Sequence, residues 1–233
     1  MDIIRRNSIK MSKSPKHNLT YQLTHDLGNA IVSGSYKVDE GLPTEAQLCI
    51  EYNVSRSATR EAIKMLSAKG LIISRPKTGI LVLPQSDWDI FDTDVLSWIL
   101  NSTPSLSLLK SFSEIRITFE PQAAALAAVN ATYKDIEDIE DALTNMKHAA
   151  DALAPEIAFH TAILAASGNC FIVQLSDLIS TAIRVNDLHT KTSTPKNDYL
   201  GRYINLLNAI KSRNPEKSCN AANNILKSVL LVY

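Results

Sequence analysis

The feature that most constrains this chain is a pair of helix-start signals eleven residues apart, at Thr44 and Ser55. Thr44 with Gln47 three positions later reads as a capping box: the hydroxyl accepts from the third backbone amide and the glutamine reaches back. Ser55 can cap a second helix running to Lys69, with Gly70 closing it. Only a short helix to about Tyr52 and the link Asn53-Val54 fit between the two signals. Upstream, Leu23, Leu27, Ala30 and Ile31 recur at three- and four-residue spacing, predicting a helix over 19–33 that ends at Gly34. Gly41-Leu42-Pro43 reads as a turn. Downstream, Leu71-Ile72-Ile73-Ser74 and Ile80-Leu81-Val82-Leu83 flank Arg75-Pro76-Lys77-Thr78-Gly79, two β-prone runs around a Pro/Gly turn. Three helices followed by a hairpin is the order of a winged helix.

Beyond the hairpin the pattern changes. Residues 85–92 read as a linker, and everything from about Thr93 reads as helix. Seven segments are predicted, over 93–101, 105–130, 133–150, 154–167, 170–190, 198–212 and 215–232. Asn101, Gly168-Asn169, residues 192–195 and Asn214-Pro215 are among the breaks. The expected fold class is therefore mainly α, with an N-terminal winged helix-turn-helix and a C-terminal all-α antiparallel bundle of seven helices. The expected layout is a flexible basic arm over 1–17 (Arg5, Arg6, Lys10, Lys13, Lys16), a winged domain over 18–84, the linker, and a helical domain over 93–233.

The net charge of zero hides an asymmetry. Residues 1–85 carry 12 Lys and Arg against 7 Asp and Glu, while 86–233 carry 12 against 17. A basic half joined to an acidic half suits a nucleic-acid-binding module fused to something else. The three cysteines (Cys49, Cys170, Cys219) are scattered and odd in number, which argues against a disulfide framework or a thiolate zinc site. No apolar run approaches the ~20 residues that span a bilayer, and no apolar segment follows the charged N-terminus as in a signal peptide. A cytoplasmic location without membrane partners is expected.

In a helix beginning at Ser55, Ala58, Ala62, Met65 and Leu66 share one face and Arg56, Thr59 and Arg60 the other. A helix that enters the major groove needs this division. An arginine fork can bond guanine O6 and N7 together or clamp a phosphate. The hairpin adds Arg75, Lys77 and Thr78 around Gly79. Leu42-Pro43-Thr44-Glu45, Val54-Ser55-Arg56, Arg60-Glu61-Ala62, Leu66, Gly70-Leu71 and Gly79 together closely resemble the DNA-binding domain of the GntR superfamily. The resemblance implies a dimer on a palindromic operator, with Arg56 and Arg60 as operator-contacting arginines. The candidate DNA-binding set is Thr44, Ser55, Arg56, Thr59, Arg60, Arg75, Lys77, Thr78 and Gly79. At the wing the family pattern is Gly-x-Gly, whereas this chain has Lys77-Thr78-Gly79.

In the second half, Arg116 lies inside an apolar helical stretch and cannot be buried without a partner. Pro121 cannot donate to the carbonyl of Ile117 and is expected to kink the helix. Two readings follow: Arg116 forms the floor of a carboxylate site, or it pairs with Glu120 at i,i+4 on a solvated face. Glu114-Ile115-Arg116 with Glu120-Pro121, Phe159-His160 with Ser167-Gly168-Asn169, and the segment 206–210 resemble the FCD effector-binding domain of the FadR subfamily. Asp94-Val95-Leu96-Ser97-Trp98 resembles the added helix of its sugar-acid, galactonate-type regulators. The resemblance implies an effector site at Arg116, Glu120, Glu156, His160 and Tyr203.

Many FCD domains hold a divalent metal through an Asp-x3-His pair and two further histidines. Here the pair is Glu156 and His160, and Tyr203 and Ile225 stand at the other two positions. Two of four ligand positions are lost, so no tight metal is expected, a divalent metal held weakly by Glu156 and His160 stays as the alternative, and no other cofactor is implied. Nothing in the spacing of His189 makes it a substitute. Catalytic motifs of the GxSxG, HExxH, P-loop and GxGxxG types are missing, and Glu156 with His160 has no nucleophile to activate. The expectation is a ligand-responsive regulator, a repressor released from its operator by a small carboxylate metabolite such as a sugar acid. The alternative is an architectural DNA-binding protein with no effector.

Overall fold

A computed structural model of the chain describes residues 19–76, 78–102, 105–190 and 196–230. The basic arm, Lys77, and the break at 192–195 lie outside the described residues, as does the side chain of His189. The chain divides between Trp88 and Asp89 into two compact units.

The first unit holds α1 (Leu19–Val32), α2 (Glu45–Glu51), α3 (Arg56–Ala68), β1 (Ile72–Arg75) and β2 (Gly79–Val82). Both helix-start signals act as expected. Thr44 Oγ1 accepts from the Gln47 amide at 3.3 Å while Gln47 Oε1 accepts from the Thr44 amide at 2.8 Å. Ser55 Oγ accepts from the Ala58 amide at 3.2 Å. Leu23, Leu27 and Ile31 of α1, Leu48 of α2, and Ala62, Ile63 and Leu66 of α3 are buried together with Leu71 and Ile72. The hairpin is antiparallel, with Ile72 opposite Val82 and Arg75 opposite Gly79.

The segment before Pro43 does more than turn. Leu42 N–H donates to Ile80 O at 2.8 Å and Val82 N–H to Glu40 O at 3.1 Å, so this stretch pairs with the free edge of β2 through a Gly41–Leu81 bridge. With no alternation of apolar and polar side chains in so short a run, only the tertiary fold makes it pair. A 3-10 turn, Gln85–Asp87, follows β2 inside the expected linker.

The second unit holds α4 (Thr93–Asn101), α5 (Leu106–Asn130), α6 (Tyr133–His148), α7 (Leu153–Ala166), α8 (Cys170–Val173), α9 (Ser176–Thr190), α10 (Lys196–Lys211) and α11 (Pro215–Leu230). The single helix expected over 170–190 is two. Leu175 N–H folds back to Ile172 O at 3.0 Å, and Leu175 O then accepts from Ile179 N–H at 2.8 Å to begin the next helix. α5 is central, packed by α7, α9, α10 and α11. Its second half presents Ala123, Ala124, Ala127 and Ala128, all buried, and such small side chains let neighbouring helices approach closely. Pro121 lies inside α5, which continues through it as one 25-residue helix. No helix among the described residues is long and apolar enough to cross a membrane.

Candidate functional site

Two groups of side chains stand out, one in each unit. In the first, Arg56 and Arg60 are exposed on α3, while Ala62, Ile63 and Leu66 anchor the opposite side. Arg60 Nε donates to Glu45 Oε2 at 2.9 Å. Thr59 does not belong with the arginines. It is fully buried; its hydroxyl donates to Ser55 O at 3.2 Å and lies 3.2 Å from Cys49 Sγ on α2. It sits on the border of the helix's two faces, and α2 covers that border. Thr59 therefore joins α2 to α3 and is removed from the DNA-facing set.

Thr44 and Ser55 are exposed, but their hydroxyls serve the helix caps. Arg75, Thr78 and Gly79 are exposed around the hairpin tip. Gly79 has φ +90°, a conformation costly for any residue with a Cβ, and nothing lies within 4 Å of where a Cβ would be.

In the second unit the structure brings all five candidate effector residues together. Arg116 and Glu120 face inward from α5, Glu156 and His160 come from α7, and Tyr203 from α10. Arg116 Nε donates to Glu120 Oε1 at 2.6 Å, and His160 Nδ1 lies 2.5 Å from Glu120 Oε2. The i,i+4 pair expected on a solvated face is thus made but deeply buried: the Arg116 and Glu120 side chains are 2% and 6% exposed. Burial pushes the Glu120 carboxyl up, but the Arg116 guanidinium and His160 outweigh it and hold it down at about 2. Burial likewise opposes the charge on Arg116, yet Glu120, with Glu156 and Tyr203 adding, raises its pKa.

Tyr203 OH donates to Glu156 Oε1 at 2.8 Å, and its ring meets those of Phe159 and His160 edge-on, at centroid distances of 5.1 and 5.8 Å. His160 Nε2 is buried with no hydrogen-bond partner among the described residues. His160 lines a small cavity of about 10 Å3 with Glu120, Ala124, Ile163, Leu164, Leu206, Ala222 and Ile225. Several of these wall residues were not singled out in the sequence. Ala124 follows Glu120 by four, and Ile163 and Leu164 follow His160 by three and four. That spacing was the available signal.

The donor set is short of the four ligands of a tight divalent-metal site. The Tyr203 hydroxyl donates to Glu156 and the fourth position is the apolar Ile225 in the cavity wall, which leaves only Glu156 and the Nε2 of His160 as ligating groups. Among the described residues no group of three or more His, Cys, Asp or Glu could hold one.

A winged helix-turn-helix joined to a helical unit with a buried polar cluster defines a class: the ligand-responsive, DNA-binding transcription regulators. Comparison with known proteins makes the class specific. Residues 19–82 match the gntR family of bacterial regulatory proteins and 111–228 the FCD domain. The galactonate operon transcriptional repressor of Escherichia coli (strain K12) is 38% identical over 171 residues, covering 72% of this chain and 75% of that one. The HTH-type transcriptional repressor NanR of Klebsiella aerogenes is 26% identical over 235 residues, covering 96% and 88%. The solved structure of Streptococcus agalactiae GntR, 24% identical, shares the fold with a TM-score of 0.50 over 90% of this chain and 98% of that one. The chain belongs to the GntR family of transcription regulators, in the group with an FCD domain.

Proposed function

We propose that this regulator is a repressor, binding a palindromic operator as a dimer and released by a small carboxylate metabolite of the sugar-acid class. The observation that carries the effector half is the buried Arg116–Glu120–His160 chain beside a cavity. A fully desolvated cation with a second polar group, the His160 Nε2, left without a partner is a site with hydrogen-bonding capacity to spare. The sugar-acid class is favoured by the Escherichia coli relative, a galactonate operon repressor. The operator half rests on Arg56 and Arg60, exposed on a helix whose other face is anchored. No metal takes part in this reading; Tyr203 and Glu156 hold each other instead.

The cavity is at the ~10–15 Å3 threshold for one water. A six-carbon acid enters only if α5, α7, α10 and α11 move apart. The ligand therefore selects an arrangement of the bundle different from this one, and it releases DNA to the extent that this arrangement binds the operator less well.

The test is a thermal-shift screen of hexonates and hexuronates on the metal-free, full-length protein, followed by gel shifts with DNA from the promoter it controls. One acid should raise the melting temperature and weaken the DNA complex over the same concentration range. If no acid raises the melting temperature, the effector reading falls and an architectural DNA-binding role takes its place.

A further inference from the structure

The two arginines of α3 differ in one respect. Arg56 is exposed with no acidic partner among the described residues, whereas Arg60 gives its Nε to Glu45 Oε2 at 2.9 Å. Glu45 is the first residue of α2, fifteen positions away in sequence. The pair is open to solvent, with 67% of the Arg60 side chain and 42% of Glu45 exposed. Exposed pairs of this kind add little to folding. Glu45 in the first turn of α2 interacts favourably, to a modest extent, with the helix dipole, but the cap itself is made by Thr44 and Gln47, and the dipole needs no contact with Arg60. A carboxylate on a surface meant for a duplex also opposes the phosphates. The contact with Arg60 is the feature those terms leave over.

We propose that Glu45 is a positioning residue that sets specificity: it holds the Arg60 guanidinium by its Nε edge, so that the two terminal nitrogens face a single guanine. The guanidinium is a rigid plane with five N–H donors. When a carboxylate takes the Nε edge, the Nη1 and Nη2 pair remains at the far end. That pair matches guanine O6 and N7. A free arginine loses rotamer freedom on binding, whereas one already held has lost it beforehand. The carboxylate also offsets part of the arginine's charge, which devalues a phosphate contact more than a paired hydrogen-bond contact with a base. Glu45 thus disfavours the wrong use of Arg60 as well as favouring the right one. Arg56, with no counter-charge, remains suited to the phosphate backbone. The two arginines divide the work, one supplying affinity and the other reading sequence.

This inference rests on the reading of α3 as the helix that meets DNA. The test uses the full-length chain as wild type, Glu45→Gln, Glu45→Ala, Arg60→Ala and the Glu45→Ala/Arg60→Ala double variant. The probes are a duplex enriched by the wild-type protein from a randomised library and a scrambled duplex of equal length, each titrated at several salt concentrations. Glu45→Ala should lower the ratio of selected to scrambled affinity ten-fold or more, by weakening the first while leaving the second unchanged or tighter. One guanine position in the selected site should become degenerate. Arg60→Ala should erase preference at that same position, and the double variant should be no worse than Arg60→Ala alone. Glu45→Gln keeps an acceptor for Nε, so it should retain part of the preference while binding the scrambled duplex more tightly. If Glu45→Ala melts early, Glu45→Gln decides the matter.

An equal loss on both duplexes, an unchanged ratio, or additive effects in the double variant would each overturn the role of Glu45. A wild-type protein that enriches no duplex, or an Arg60→Ala variant with an undiminished ratio, would instead bring down the reading of α3 itself.

Discussion

Glu120 is the residue on which the second unit's polar cluster turns, because it accepts from Arg116 on one side and faces His160 on the other. Its carboxyl is held at about 2, below the ordinary value of 4.5. A depressed carboxyl stabilises the folded state fully above the unfolded value and loses that contribution as pH falls from about 4.5 towards 2. Melting temperature should therefore drop steeply in that window for the wild type and less steeply for Glu120→Gln. At neutral pH Glu120→Gln should cost about 3–5 kcal/mol, because a buried guanidinium loses its counter-charge. Parallel pH profiles for the two proteins would refute this assignment. The sequence shows the i,i+4 spacing of Arg116 and Glu120 but not their burial, which depends on α7 and α10 closing over α5. The third member, His160, lies forty residues further on, and no local pattern links it to Glu120. Thr59 shows the opposite limit: its place beside the arginines is legible, but its cover by Cys49 of α2 is tertiary.

At the scale of elements, the helix starts were the most legible features, because a cap is a local hydrogen-bond pattern set by residues three apart. The break between α8 and α9 was not. Phe171, Ile172, Val173 and Leu175 form an apolar run that reads as one helix, and no Gly or Pro marks the turn. The pairing of Leu42 with Ile80 was hidden for another reason: the Gly41-Leu42-Pro43 turn signal is too short to show an alternating pattern. Gly70 tests how tightly the end of α3 is packed. It has φ +72°, and an added Cβ would fall 2.0 Å from Asp87 O, a backbone atom that cannot step aside. Gly70→Ala should destabilise the first unit by more than about 2 kcal/mol, from strain and overpacking together. Calorimetry should show an early transition for that unit and an unmoved transition for the second. A single unshifted melt would mean that the turn relaxes freely.

At the scale of the whole molecule, the charge asymmetry between the halves of the sequence matches the division into two units at Trp88 and Asp89. The class of protein was legible because its motifs sit in short, contiguous runs. The interior of the proposed effector site was not, because residues of four separate helices line it. The tightness of that enclosure bears on timing. A compartment of about 10 Å3 cannot admit an organic acid on collision. On the proposed reading, entry waits for a spontaneous parting of the helices, a motion of the microsecond-to-millisecond kind. In stopped-flow mixing, the observed rate should level off at high acid concentration, at the frequency of that parting, rather than climb in proportion. A linear rise up to millimolar acid would show an open doorway. With a plateau, the bundle itself and not the supply of acid sets the fastest pace at which the proposed site can fill.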